Sequence, residues 1–478
     1  MPSSALETLS PLLKTLSPSI VLTPEKDEYR KHSATFSAHK EKHPAVVLAP
    51  STVDEVATIV EFLYKTGLDF NVRGWGFKGA TATDVLISMI RFDNFEYDVE
   101  KKVAQVGVGL RWIDVVERMV EVDPEYSVVV ARTPAIGVAG TITTAGLSWM
   151  STEYGCCADP INFLDAEVVK YDGSVVLASS EPELLWALRG GGGGFGVITK
   201  LYLRAHYYPT HVWSGMILVP RSQSESLLAD VEAFLDTKPH PKVNMFVYFC
   251  PERLLHTILE PGQPVPKDDV VIIHAYDAFG EAHGRKTFEW ALKREGVIDQ
   301  TKVVDAVELM KMQRKAYALD NADHNRGKFK TLYAPMGVAS LTKEEMLKAV
   351  QWKENLGATD KEIQQLSVVI FEFSVTRSPL GASSEIAWPR PVDMNHLLLI
   401  IVNAPANGSE GQEKLISKLL LEAPEIILGE KAELAMVNPA GLEPYHDTKK
   451  SYGQHYDKLM DLRKKYDPAR RFKGLVNP

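Results

Sequence analysis

The stretch VRGWGFKG at residues 72–79 decides how the first half of this chain is read. It follows TIVEFLYKTGLDF, which reads as an amphipathic helix closing on a turn and a short strand. Gly74, Gly76 and Gly79 stand beside Arg73 and Lys78, a pattern that turns backbone amides toward an anion. Val72 ends the strand, and Trp75 and Phe77 are large apolar groups in a loop built for close approach. Two further glycine-rich stretches fall nearby, IGVAGTITTAG at 136–146 and RGGGGGFGV at 189–197. Glycine at this density costs backbone entropy, which a loop tolerates when a ligand or another backbone comes very close. No Gly-Lys-Ser/Thr closes any of them, so the Walker nucleotide loop is excluded. The glycines at 74, 76 and 79 also lack the helix and later acidic residue of the dinucleotide fingerprint, which disfavours a nicotinamide cofactor.

The whole chain narrows the classes further. Its 478 residues imply two or three domains, and 45% hydrophobic with 24% charged residues is the composition of a soluble globular protein. A formal charge of -9 argues against nucleic acid as a partner. The N-terminal stretch has no basic start and no sustained apolar run, so no secretory signal is expected. No run of 18 apolar residues occurs, so no membrane span is expected. Cys156, Cys157 and Cys250 are odd in number and two are adjacent, which points to a reducing cytoplasm and to structural thiols. No metal-ligand spacing is present, and no metal site is expected.

Up to residue 205, β-branched runs alternate with helical ones. HPAVVLAPS is a strand running into a helix with Ser51, Thr52 and Asp54 near its cap, and LDAEVVKYDGSVVLAS is a hairpin on Asp172-Gly173. From 206 to 435 the texture changes. VWSGMILV, NMFVYFC, DVVIIHAYDAF, LSVVIFEFSV and HLLLIIVNA are five strand candidates interleaved with amphipathic helices, which predicts one antiparallel sheet with helices on one side. Residues 436–478 contain a helix broken at Asp467-Pro468.

Taken in order, HPAVVLAPSTVDEVATIV, VRGWGFKGA, VGVGLRWIDVV, TPAIGVAGTITTAGLSWM, ELLWALRGGGGGFGV and YGQHYDKLMDLRKKYDP resemble the FAD-linked oxidases of the vanillyl-alcohol oxidase type, nearest the berberine-bridge-enzyme-like branch. The resemblance covers the first region and the C-terminus and is loose in the middle. It implies an α+β fold: a two-part PCMH-type FAD-binding domain over 1–205, an inserted sheet-and-helix substrate domain over 206–435, and a returning segment over 436–478. It also implies that residues 72–78 wrap the FAD pyrophosphate and that 137–147, with Gly137, Gly140, Thr143, Thr144 and Gly146, line the ribityl chain and ring. The backbone of Val197 would meet the adenine, and Tyr452 and His455 would support the cofactor.

The chain departs from that family where the flavin is usually tethered. The position of the bonding histidine is Phe77, and that of the bonding cysteine, before Pro134, is Thr133. Neither side chain forms such a bond, so FAD is expected to be held non-covalently. A histidine of several members, near the flavin's N1 edge, is here Thr141, and the residue that governs oxygen access is Ile136. Flavin oxidation usually needs a base near the reacting carbon. Glu372, an acid in the apolar strand VVIFEFSV, is the first candidate; a water-facing position in the alternation is the competing reading. Tyr248 and Asn403 are candidates for holding substrate polar groups, and His274 reads as a core or interface histidine. The expected function is hydride transfer from a small, largely apolar, secondary-metabolite-like substrate to FAD, with O2 or another acceptor taking the electrons. The alternative is a redox-neutral isomerase or cyclase that uses the same pocket as a scaffold.

Overall fold

The computed structural model describes residues 2–249, 251, 269–312, 327–373, 384–391 and 393–477. Cys250 and the last two residues of LSVVIFEFSV lie outside them. Two sheets build the N-terminal region. The first has the order β1-β2-β4-β3, from β1 (Val21–Leu22), β2 (Val46–Leu48), β3 (Phe70–Arg73) and β4 (Val85–Ser88). Strands β2 and β3 both run parallel to β4. The crossover between them is the helix Val53–Tyr64, which starts on a capping box. Thr52 accepts from the Glu55 amide at 3.3 Å, and Glu55 accepts from the Thr52 amide at 3.1 Å. Val56, Ile59, Val60 and Leu63 of this helix are fully buried, which is the stripe its period predicts.

The second sheet is antiparallel, with β5 (Phe95–Asp98), β6 (Val103–Gly107), β7 (Tyr126–Val128), β8 (Phe163–Val169), β9 (Val175–Leu177) and β10 (Val197–Tyr207). Its order is β5-β6-β10-β8-β9, with β7 also pairing β10. The β8–β9 hairpin turns at Gly173, whose φ of 81° suits glycine.

The third sheet has eight strands in the order β14-β11-β13-β12-β16-β17-β15-β18. These are β11 (Val212–Pro220), β12 (Val243–Phe249), β13 (Val270–Asp277), β14 (Ile298–Val304), β15 (Phe329–Val338), β16 (Val368–Phe373), β17 (His396–Pro405) and β18 (Met436–Val437). All five expected strands are in it. Strand β14 gives no sequence signal because IDQTKVV holds four polar residues in a row, and β15 because FKTLYAPMGV carries a proline. The expected boundary at 435 falls one residue before β18, which still belongs to this sheet.

One face of the third sheet is covered by helices Ser224–Asp236, Lys343–Thr359 and Glu410–Leu428, with Leu227, Trp352 and Leu420 packing on Val247, Phe371 and Ile400. On the other face Phe246, Ile272, Tyr276, Ile370 and Leu397 share a core with Val138, Ile142 and Trp149 of the N-terminal region. The sheet is therefore buried on both sides, and its strands read as continuous apolar runs. Because side chains alternate, a one-residue slip of β16 would put Glu372 among the helices.

The C-terminal segment closes the molecule through the third glycine-rich stretch. Leu475 donates its amide to Gly192 at 3.0 Å, Tyr452 Oη donates to the Gly190 carbonyl at 3.0 Å, and Arg463 donates to the Gly194 carbonyl. Gly190 and Gly192 in turn donate to Ile142 and Thr143 at 3.2 and 2.7 Å.

Candidate cofactor and substrate site

Strand β3 delivers the 72–79 loop, and the loop is held mainly by its own side chains. Arg73 is fully buried; its guanidinium donates to the carbonyls of Ala34 at 2.6 Å, Lys31 at 3.2 Å and Trp75 at 3.3 Å. It acts here as a clamp on backbone oxygens. Gly76 has a φ of 68°, and a Cβ there would run into the Arg73 guanidinium. Trp75 donates its ring N–H to Gly109 at 2.7 Å and carries Arg111 over its ring at 4.9 Å. A Cβ on Gly137 would meet Trp75 at 3.3 Å, so the first two glycine-rich stretches touch at this point. Phe77 stacks on Phe36 with centroids 4.5 Å apart. The Lys78 ammonium donates to the Leu442 carbonyl and lies 3.7 Å from Glu443, which also pairs with Lys40 at 2.7 Å. Burial pulls Lys78 down to about 7, against the opposing pull of Glu443.

The 131–146 stretch runs from an extended segment into the short helix Val138–Thr143. Ile113 and Trp112 donate their amides to the carbonyls of Pro134 and Ile136 at 3.2 and 3.1 Å, which fixes the backbone beside Thr133. Thr141 accepts from the Trp112 ring N–H at 2.8 Å and donates to the Gly137 carbonyl at 3.1 Å. Thr143 and Thr144 donate back to the Gly140 carbonyl at 3.2 and 2.8 Å. All three hydroxyls thus serve the local turn. Gly146, at φ 67°, makes room for Cys157, whose Sγ would lie 2.9 Å from a Cβ there. Gly140 differs: it is exposed, and a Cβ would meet nothing within 4 Å.

Glu372 of β16 lies on the sheet face turned toward this stretch and is 6% exposed. The water-facing reading is thereby removed. Its carboxylate accepts from Arg132 Nη2 at 2.5 Å, an ion pair between the sheet and the residue just before Thr133. The Arg132 guanidinium lies 4.4 Å over the Phe246 ring. Phe246 stacks on Trp149 at 4.5 Å, and Trp149 on Tyr276 at 5.1 Å. Arg132, Phe246 and Trp149 were not singled out from sequence, because an arginine and two aromatics in separate segments give no motif; adjacency of Arg132 to Thr133 was the one available signal.

His274 is fully buried beside Trp149, 5.0 Å between ring centres, and Ser214 lies 3.2 Å from its Nε2. Burial, then the charge of Arg132, pushes its imidazole down to about 3, so it stays neutral. Tyr248 is half-buried on the same face, in register with Ile370 of β16 and, one strand further, Leu399 of β17. Asn403 lies farther along β17, and its amide is engaged with Thr331 at 2.7 Å and the Leu366 carbonyl at 2.9 Å. His455 contacts the Ala387 carbonyl at 3.1 Å, and Val197 pairs with Val169 in the second sheet. Arg390 donates to Cys156 Sγ and to Asp159 at 3.1 Å, while burial pushes the Cys156 thiol up to about 12. Both described cysteines are inert core groups. Among the described residues no cluster suited to a metal is found.

Residues 44–179 match the FAD binding domain family. The chain carries an FAD binding domain in the fold of the berberine-bridge-like oxidases.

An FAD-dependent monooxygenase of Cochliobolus heterostrophus is 33% identical over 184 residues, 37% of this chain and 35% of that protein. An uncharacterised FAD-linked oxidoreductase of Arthroderma benhamiae is 30% identical over 190 residues, 39% and 37% of the two chains. These alignments therefore span little more than a third of the relatives. A third relative, an FAD-dependent monooxygenase of Arthrobotrys oligospora, is 25% identical over 91% of this chain and 81% of its own. Among solved structures, the xylooligosaccharide oxidase of Myceliophthora thermophila superposes with a TM-score of 0.78 at 18% identity over 98% and 99% of the chains. Berberine bridge enzyme bound to (S)-reticuline gives 0.75 at 15% identity over 98% and 97%.

Of the glycines expected to line the cofactor, two have room for a ligand beside them. Gly140 is exposed, and a side chain there would extend into open space. Gly74 is similarly open, its nearest neighbour for a Cβ being the Val108 carbonyl at 3.7 Å. By contrast, Gly76, Gly137 and Gly146 accommodate protein groups. Sequence reasoning treated all five as cofactor glycines; only packing separates the two kinds.

Proposed function

We propose that the chain is an FAD-dependent oxidoreductase acting on a small, largely apolar molecule, with FAD held without a covalent bond. The observation that carries this reading is the placement of Glu372: a buried carboxylate on the sheet face, paired to the residue next to Thr133. Phe77 and Thr133, at the positions where related flavoproteins attach the ring, have no group able to make either bond. Fungal relatives named as FAD-dependent monooxygenases, and oxidases among the structural neighbours, support redox chemistry over a scaffold role.

When bound, FAD supplies the hydride acceptor and hands the electrons to O2 or another acceptor. The chain supplies the rest. Tyr248, Ile370, Leu399 and Ile401 give the sheet an apolar face for the substrate carbon skeleton. Glu372 takes the proton from the substrate hydroxyl or amine, and Arg132 balances its charge while it waits. Gly74 and Gly140 leave room for the cofactor, with Phe77, Ile136 and the backbone of 72–78 around it.

The test is anaerobic mixing of the FAD-loaded protein with a panel of aromatic and polyketide-like alcohols. A productive substrate bleaches the visible flavin band, and Glu372→Gln slows that bleaching by about 10²–10⁴-fold without lowering FAD content. Conversion of a substrate with no bleaching at any time would favour the isomerase or cyclase alternative.

A further inference from the structure

The ion pair of Arg132 and Glu372 leaves one strong donor unused. Arg132 Nη2 is bound to Glu372, and its side chain is about nine-tenths buried, yet Nη1 meets no hydrogen-bond partner among the described residues. A buried guanidinium N–H without an acceptor is costly, and this one is held in plane by the Phe246 ring beneath it. Phe246 is backed by Trp149 and Tyr276, so the guanidinium has little freedom to swing toward water.

Local charge decides what the donor takes. Arg132 contributes one positive charge and Glu372 one negative, and His274 is neutral because burial holds it so. Phe246 and Leu397, the cross-strand neighbours of Glu372, are apolar, and the Cys156 and Cys157 thiols, which the Arg132 charge also reaches, stay uncharged because burial pushes both up. An anionic ligand would leave a net negative charge in this dry setting. A neutral oxygen completes the hydrogen bonding at no such cost.

We propose that Arg132 Nη1 anchors the substrate through a neutral acceptor oxygen, a ketone, ester or hydroxyl oxygen, and that the Glu372 counter-charge makes the site reject carboxylates. This rests on the reading above that the substrate lies against this sheet face. Arg132 would then fix substrate orientation and Glu372 would set its charge preference.

The proposal is tested with two probes of matched shape, neutral acetophenone and anionic benzoate, titrated into the FAD-loaded full chain by calorimetry. The wild-type protein is expected to bind acetophenone at least tenfold more tightly than benzoate. Glu372→Gln, which frees the positive charge of Arg132, is expected to reverse that order. Arg132→Met is expected to weaken acetophenone at least tenfold and erase the preference. Benzoate binding as tightly as acetophenone in the wild-type protein overturns the proposal, as does a ratio that neither substitution changes. No acetophenone binding up to about 10 mM, a binding free energy weaker than about -3 kcal/mol, also overturns it. Should a variant fail to fold, the wild-type ratio and Arg132→Lys decide, since Lys keeps the charge and loses the planar fork; unaltered acetophenone affinity in Arg132→Lys counts against the anchor. Failure of the oxidoreductase reading has a different signature, because heats of probe binding do not depend on flavin bleaching.

Discussion

Gly140 and Gly146 lie six residues apart in one glycine-rich stretch and do opposite things. Gly146 sits at φ 67° against Cys157 and Thr141, so its missing side chain is filled by protein. Gly140 faces open space from within the helix Val138–Thr143. Leucine at 140 is expected to leave the apoprotein as stable as before or better by up to about 1 kcal/mol, since glycine is a poor helix former. FAD affinity should fall at least tenfold, measured by titration of the apoprotein. Alanine at 146 should do the reverse, lowering thermal stability by roughly 1–3 kcal/mol through strain and overpacking. A Gly140→Leu protein that binds FAD normally would remove this glycine from the cofactor site. From sequence the two glycines are indistinguishable, because a glycine that admits a ligand and one that admits a neighbouring side chain have the same letter.

At the scale of elements, the helix Tyr456–Tyr466 ends on a buried knot. Arg463 and Asp467 pair at 3.0 Å with side chains 1% and 0% exposed. Asp467 also accepts from Tyr64 Oη at 2.8 Å, the Arg471 amide at 2.7 Å and the Phe472 amide at 3.0 Å. Asp467→Ala leaves Arg463 buried and uncompensated, so a loss of about 3–5 kcal/mol in unfolding free energy is expected by denaturant titration. A loss under about 1 kcal/mol would mean that the knot contributes little. The sequence showed the break at Asp467-Pro468 but not the knot, whose partners are distant in the chain. The same limit governed the sheet. Apolar runs such as VVIIHAYD and HLLLIIVNAP announce β13 and β17 because both faces are buried. Edge strand β14 mixes polar and apolar residues on both faces and gives no such run. Glu372 was legible as an acid out of place in VVIFEF, whereas Arg132, its partner 240 positions away, becomes visible only when the sheet meets the FAD domain.

The whole molecule carries a pH sensitivity set by histidines held neutral. Burial pulls His32, His206 and His446 down to about 4 and His274 to about 3. Their folded values lie below the ordinary 6.5, so the unfolded chain takes up protons first as pH falls. Stability is therefore intact above pH 6.5 and is lost as pH drops from there toward 4, by up to about 1.4 kcal/mol per pH unit for each fully buried group. Thermal unfolding should shift clearly downward between about pH 7.5 and about pH 5; an unchanged midpoint would mean these rings are solvated. His274 sits against Trp149 in the aromatic column that joins the FAD domain to the third sheet, so that contact is expected to loosen in this range.

The measurement that tests the central claim most directly is acid precipitation of the purified yellow protein, followed by assay of flavin in the supernatant and pellet. With Phe77 and Thr133 at the attachment positions, all of the FAD is expected in the supernatant and none in the pellet. Flavin retained in the pellet would contradict the account, because it would require a covalent bond from a residue other than those two.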